Sequence, residues 1–484
     1  MRLDEEYIRT GFFWLPGQED KKIPGVLSIN DGGKVELEIV GHFTDEVEVL
    51  TGSDHIERIV GFVENDSFVT LTECIYSSKS ISFGGISKSK IHVRHAFFNK
   101  TRTINEPIEF DSFSFEVDCL DEWVNITGIN VERDWEKRTA NITYSPPEKI
   151  SFPLKNGMIF EINFTYTLPG YQVLKEAKIN QKINFNINSE TPRPLEEYTS
   201  IAFKITNLMS FAIDDVVSIK NICTTSPQVQ RLIGDRNHKD TIKIFYESIS
   251  FSNKIPNHRH YEMLFTYNTI KNDIQNIFNN WISAYDSFSS AFDLYFSTKN
   301  GGYKYLESKF LALAQGLETY HRRISDEKLM DQNTFDNLVS SLLKSCPEEN
   351  KTWLEGRLTY GNEINLRTRI KKIIEPFKML IGTSKERSRL LAKIVDTRNY
   401  LTHYSESLKD NSAKKRELWI ICIKMEVIFT LHFLSLIGIS DEEILKISKN
   451  CQSLKIAALS DSRRIYQLGD KVPAERTPKR TVFC

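Results

Sequence analysis

The chain has few cysteines and no pair of them in a metal-binding or redox spacing. Seven are scattered at 74, 119, 223, 346, 422, 451 and 484. No two are arranged as Cys-x-x-Cys, which excludes a zinc ribbon and a thioredoxin-like centre. A sparse, odd set fits small buried thiols in a reducing compartment, so the expected location is the cytoplasm. No Gly-x-x-x-x-Gly-Lys-[Ser/Thr] loop occurs, and the glycine pairs at 32–33, 84–85 and 301–302 lack its spacing, so ATP or GTP hydrolysis has no support. Gly-x-Ser-x-Gly is missing as well. The opening MRLDEEYIRTGFFWLPG has acids where a signal peptide needs a basic start and an apolar run. Sequons such as Asn125-Ile-Thr therefore carry no meaning. Charge of one sign is also lacking: 63 Lys and Arg against 64 Asp and Glu leave a net −1. Any argument for a polyanionic partner has to be local.

One apolar run is long enough to raise the question of a membrane, ELWIICIKMEVIFTLHFLSLIGI at 417–439. Lys424, Glu426 and His432 interrupt it, and a lysine at mid-membrane costs about 2.5–3.5 kcal/mol. The run reads as a buried helix, and no membrane partner is expected.

What is present is an ordinary folded composition, 40% hydrophobic and 26% charged, in a chain long enough for two or three domains. The first half reads as β. GVLSIN and KVELEIVG alternate in period two and are joined by Asp31-Gly32-Gly33, a hairpin signal. RIVGFV, SFVTLTECIY, KIHVRHAFF, SFSFEVDCL and MIFEINFTYTL follow, with turn formers between them, as in an antiparallel sandwich or a barrel-like sheet. One helix interrupts them near 194–213, with Leu195, Tyr198, Ile201, Ala202, Ile205, Leu208 and Met209 at helical spacing. Turn formers cluster at 252–260, and from Tyr261 onward the period is helical. Leu306, Phe310, Leu313, Leu317, Tyr320 and Ile324 make one stripe. Further helices are expected near 327–345, 363–381, 385–405 and 412–438. The expected fold is α+β multidomain: a β-rich domain over 1–255, an all-α bundle over 261–460, and an extended basic tail over 461–484.

Several polar and aromatic clusters invite function and are read as structure. His92 and His95 in IHVRH are three apart in a strand, so period two places them on opposite faces, and no Cys, Asp or Glu completes a metal set. No metal and no cofactor are expected. His258 and His260 share a strand face but lack partners, and Phe12, Phe13 and Trp14 read as core.

Charge becomes informative between Arg367 and Arg416, where fourteen Lys and Arg stand against five Asp and Glu, a local +9. Solvated helix faces are the plain explanation; a polyanion partner is the other. Within this segment DTRNYLTHYSE, 396–406, follows a helix whose Leu390, Leu391, Ile394 and Val395 lie on one side. Arg398 and His403 form an Arg-x4-His pattern, with Asn399 next to the arginine. The loose pattern recurs at Arg231 and His238 in RLIGDRNH, so pattern alone decides nothing. At about 100° per residue Asn399 and His403 share a helix face, whereas Arg398 lies about 140° from His403. A second copy of the motif from another subunit would let the two chemistries meet across a cleft. Histidine can take a proton from a ribose 2′-OH near neutral pH, and arginine can hold the phosphate whose charge grows as it is attacked.

Arg-Asn-x-x-x-His late in a helical bundle resembles the HEPN superfamily of metal-independent ribonucleases. FLALAQGLETYHRR and IVDTRNYLTHY are similar to its ApeA-type branch, and FFWLPG with PGVLSINDGGKVELEIVG resembles the β-rich domain that precedes HEPN in that family. The resemblance spans essentially the whole chain. It implies a homodimer or higher homo-oligomer through the HEPN domain, with RNA, tRNA among it, cut by 2′-OH attack during abortive infection in anti-phage defence. It places Arg398, His403 and Asn399 as the catalytic set, with Tyr404 and Glu318 as weaker supporting positions. Arg387, Arg389 and Lys393, on the same basic helix, are the weaker candidates for contacting RNA. The N-terminal domain is expected to restrain the nuclease and to receive a phage-derived trigger. The competing reading is a non-catalytic RNA- or nucleotide-binding HEPN module that acts through partner assembly. Nucleotidyl transfer is disfavoured, since no acidic pair for Mg²⁺ stands out.

Overall fold

Asp31, Gly32 and Gly33 do what their types dictate. They turn β2 (Ile23–Ile29) into β3 (Val35–Val40) with Ile29 opposite Val35 and Leu27 opposite Leu37. Gly33 has φ +86°, and a Cβ there would fall 2.1 Å from the Tyr246 carbonyl oxygen, so only glycine fits. The structure, a computed structural model, describes residues 1–454 other than 4, 44–52, 66–67, 83, 100–107, 172–173, 302 and 452–453. The tail expected over 461–484 lies outside the described residues.

The chain divides into two compact units, Met1–Tyr285 and Asp286–Cys484. The division lies well past the turn-rich 252–260 stretch. It falls inside a helix, Ile274–Lys299, just before Phe288, whose φ −123° and ψ 23° interrupt the helical run.

In the first unit β1 (Tyr7–Trp14), β2, β3, β4 (His55–Val63), β5 (Phe68–Ser80) and β6 (Lys88–Asn99) close a six-stranded barrel. The order is β6-β3-β2-β1-β4-β5, and β5 pairs back to β6. Alternation sends Leu27, Ile29, Val35, Leu37, Ile39, Ile59 and Val63 inward, fully buried. Each such side chain contributes about 1.5–3 kcal/mol. Phe13 and Trp14 are core, as read; Phe12, on the other face of β1, is exposed.

The sheet continues from β6 through later strands. These are β7 (Phe110–Val117), β10 (Ile150–Pro153), β11 (Ile159–Thr167), β12 (Asn180–Arg193), β13 (Ile219–Thr225) and β16 (Ile242–Tyr246), in the order β10-β11-β12-β7-β13-β16-β6. The interrupting helix is Leu195–Ile213, and its seven stripe residues are all buried. Tyr198 stacks on Phe113 and donates its hydroxyl to the Phe110 carbonyl at 2.8 Å. Two hairpins stand apart as separate sheets, β8 (Ile129–Asp134) with β9 (Thr139–Tyr144), and β14 (Gln230–Ile233) with β15 (Arg236–Lys239).

The placement of His92 and His95 on opposite faces is corrected. Ile91 and Val93 point into the same core as Ala96 and Phe98. The alternation therefore skips a residue between 93 and 96, opposite Glu73, whose φ is +51°. Both histidines consequently face outward and line one cavity of about 600 Å³ together with Glu196, Phe203 and Tyr246. His95 Nδ1 lies 3.6 Å from Glu73 Oε1. Among the described residues no group of three or more His, Cys, Asp or Glu is arranged to hold a metal ion.

The helices, numbered in chain order, are α1 (Leu120–Val124), α2 (Leu195–Ile213), α3 (Tyr267–Ile270) and α4 (Ile274–Lys299), then α5 (Leu306–Ile324), α6 (Gln332–Ser345), α7 (Glu348–Leu358), α8 (Leu366–Ile374), α9 (Ser384–His403), α10 (Lys415–Leu436) and α11 (Asp441–Asn450). In the second unit α5 and α10 pack closely because position 316 is glycine: a Cβ there would sit 2.9 Å from Phe429 Cζ. The apolar run once weighed as a membrane span is α10. It is long and apolar enough to cross a bilayer by length and composition, and much of it is buried in the bundle. Glu426 pairs with Lys309 at 2.6 Å and Lys299 at 3.6 Å. His432 Nε2 lies 2.8 Å from the Ile373 carbonyl, and burial pushes its pKa down, toward the neutral imidazole.

Candidate active site at the end of a bundle helix

Helix α9 begins with a capping box. Thr383 Oγ1 accepts from the Glu386 amide, and the Glu386 carboxylate accepts from the Thr383 amide at 2.7 Å. Its buried stripe is Leu390, Leu391, Ile394 and Thr397; Val395 is only half-buried. Thr397 is a buried polar member whose hydroxyl accepts from the Ala413 amide at 2.8 Å, fixing the returning loop against the helix. The helix ends at His403. Burial of one stripe leaves Arg398, Asn399 and His403 on the remaining surface.

Arg398 is half-buried and engaged. Its Nη1 donates to Asn399 Oδ1 at 3.3 Å, and its Nη2 lies 3.9 Å from Glu318 Oε2 on α5. Glu318 is therefore beside the arginine. His403 is exposed and, among the described residues, has no hydrogen-bond partner. The structure brings Arg398, Asn399 and Glu318 into contact, whereas His403, at the helix end, makes no hydrogen bond or ion pair with them among the described residues. Tyr404, the C-cap, has φ 52° and ψ 40°. This left-handed conformation costs an L residue about 1–2 kcal/mol.

The candidate RNA contacts differ from one another. Arg387 donates to the Lys378 carbonyl at 3.0 Å and to the Gly382 carbonyl, closing the turn before α9. Lys393 pairs with Glu417 at 3.1 Å, and the largely exposed Arg389 lies 3.6 Å from the same carboxylate.

Sequence reasoning missed the network behind Glu318. Arg322, one turn along α5, pairs with Glu318 at 3.1 Å and also with Glu363. Glu363 accepts from Arg369 at 3.0 Å, and the Arg322 guanidinium holds its carboxyl below the usual range. Arg369 is buried, donating to the Ile364 carbonyl at 3.1 Å, with its Nη1 3.3 Å from His321 Nδ1. Burial, then the adjacent Arg369, push the His321 pKa down. The i,i+4 spacing of Glu318 and Arg322 was the one local signal; the remaining links join helices distant in sequence.

The second Arg-x-His match folds differently. Arg231 and His238 are direct cross-strand partners on the β14–β15 hairpin, and Arg231 Nε is held 2.9 Å from Asp240.

Two family comparisons bear on this arrangement. The model of ApeA N-terminal domain 1 matches residues 8–281, and that of the Apea-like HEPN domain matches 311–443, which contains Glu318, Arg398 and His403. No curated protein and no solved structure matches the chain. With both domain models matched in order, the first over more than half of its length, the chain belongs to the ApeA-like HEPN proteins.

Proposed function

We propose that the protein is a metal-independent endoribonuclease of anti-phage defence, cutting RNA at a site assembled from two copies of the α9 helix end. Family membership supports a HEPN-type, anti-phage role. The observation that carries the nuclease reading is the pairing, at one helix end, of a guanidinium held by Glu318 with an exposed, unpartnered imidazole at His403. In this reading the His403 imidazole takes the proton of a ribose 2′-OH, and the 2′ oxygen attacks the adjacent phosphorus. The P–O2′ bond forms as the P–O5′ bond breaks, and the departing 5′ oxygen takes its proton from solvent. The products are a 2′,3′-cyclic phosphate and a 5′-hydroxyl.

Arg398 offers its fork to the phosphate as charge accumulates, and Glu318 is a positioning residue that aims it. Asn399 steadies the guanidinium from the side. Arg389 and Lys393 extend the positive face along the strand. DNA, lacking the 2′-OH, is bound and left intact. Transfer RNA is the proposed target class within RNA. The N-terminal unit is the proposed receiver of a phage-derived trigger, and its cavity of about 600 Å³ is a place where a ligand fits.

Purified protein incubated with total RNA in excess EDTA is expected to cut it and leave cyclic phosphate ends. Arg398→Ala and His403→Ala, folded normally, are expected to leave it whole. Equal cleavage by those variants overturns the assignment, and RNA binding without cleavage by any form favours a binding module instead.

A further inference from the structure

Tyr404 puts a large ring where the backbone favours glycine or asparagine. The residue has φ 52° and ψ 40°, and its side chain is 70% exposed, so no core burial offsets that conformation. Its amide closes the helix by donating to the Tyr400 carbonyl at 2.7 Å, a bond that any non-proline residue would make. Among the described residues the ring itself contacts only one aromatic neighbour, Tyr400, one turn earlier, with centroids 5.4 Å apart and planes 25° from parallel. One face of Tyr404 is thus supported from behind by Tyr400 and the other is open to solvent. A strained backbone position that carries an exposed, braced aromatic is the form of a functional residue.

The surroundings say what the open face takes. His403 is the preceding residue, its Cα about 3.8 Å away. The loop that follows and the first residues of α10 carry Lys409, Lys414, Lys415 and Arg416 against Glu406 and Asp410, a net positive charge that suits a phosphate chain better than an apolar partner. Lys409 is held near the tyrosine pair by Glu406 at 3.1 Å. Flat aromatic surface set among cations binds the unstacked bases of single-stranded nucleic acid, because every base has a π-face.

We propose that the Tyr400–Tyr404 stack is a nucleobase-stacking subsite, in which the open face of Tyr404 holds the base of a nucleotide flanking the cleaved bond. This rests on the ribonuclease reading above and adds to it a preference for single-stranded RNA. It also assigns Tyr404 a direct ligand contact in place of a supporting role behind Arg398. Tyr400 braces the ring and does not touch the RNA.

The test uses full-length protein and fluorescent single-stranded RNA oligonucleotides, each intact or carrying one abasic nucleotide at successive positions. Tyr404→Asn keeps the left-handed cap and removes the ring; Tyr404→Trp restores a stacking face. Tyr404→Asn is expected to melt within a few degrees of wild type and to bind intact RNA about 5- to 150-fold more weakly, with Tyr404→Trp recovering most of the loss. An abasic nucleotide at one position should weaken wild type by a similar factor and leave Tyr404→Asn nearly indifferent. Unchanged affinity of Tyr404→Asn, or an abasic penalty equal in both proteins, overturns the proposal. Because binding is read separately from cleavage, a wild type that binds with this pattern and cuts nothing would refute the ribonuclease reading and leave the subsite standing.

Discussion

The hairpin of β14 and β15 and the end of α9 carry the same loose pattern and do opposite things with it. On the hairpin, pairing sets Arg231 directly across from His238, and Asp240 neutralises the arginine. At the helix end, the 100° step turns Arg398 toward Glu318 and leaves His403 free. The closer pair is thus the one without a functional setting: Asp240 takes up its guanidinium, and its family match is to the N-terminal domain. Proximity within one chain is a poor guide to this chemistry. What distinguishes the α9 site is a guanidinium aimed by a carboxylate on a second helix and an imidazole left without work.

Substitutions at the two places should separate them widely. Arg398→Ala and His403→Ala are expected to lower RNA cleavage by about 10²- to 10⁴-fold, while Arg231→Ala and His238→Ala stay within about twofold in the same gel assay. A comparable loss from the hairpin variants would dissolve the distinction. Glu318→Gln should reduce kcat by about 10- to 100-fold with little change in KM, with partial recovery in Glu318→Asp, since a misaimed arginine still meets the phosphate. A rise in KM alone would make Glu318 a binding residue.

Stability should divide the regions too. Gly316→Leu forces α5 away from Phe429 and should cost about 1–3 kcal/mol in denaturant unfolding. Arg231→Ala removes the half-exposed partner of the buried Asp240 carboxylate, a loss of about 1 kcal/mol. Equal costs would mean that α5 has room to shift.

The smallest effect is pH dependence in the bundle. His432 and His321 have folded pKa values pushed below the usual one by burial. As pH falls through about 6.5 the unfolded chain takes up protons that the folded chain refuses, so stability declines toward acid. The helical signal at 222 nm should melt at lower temperature at pH 5.5 than at pH 7.5, and His432→Gln should shrink that difference. A melting temperature that rises toward acid contradicts the assignment of neutral, buried histidines.

Much of this was legible in the chain, for identifiable reasons. Period two exposed the barrel strands, since Leu27, Ile29, Val35 and Leu37 alternate without interruption. Period 3.6 exposed α5 and α9, and a continuous apolar run marked α10 as a buried helix. The helix α7 escaped because it buries nothing and so leaves no stripe. The phase change at Glu73 escaped because glutamate gives no sign of a positive φ, and His92 and His95 were assigned to the wrong faces in consequence. The left-handed cap at Tyr404 escaped for the same reason: the residues that signal it are glycine and asparagine. Arg398 and His403 were readable by type and spacing, whereas the Arg322–Glu363–Arg369–His321 chain depends on helix packing that no local pattern encodes.

The claim that the α9 end is half of a site is tested most directly by mixing Arg398→Ala and His403→Ala proteins under conditions that exchange subunits. Neither alone should cut RNA in EDTA, and the mixture should recover a measurable fraction of wild-type cleavage, because a mixed pair contains one intact arginine and one intact histidine facing each other. A mixture whose subunits exchange and which remains inactive would contradict it.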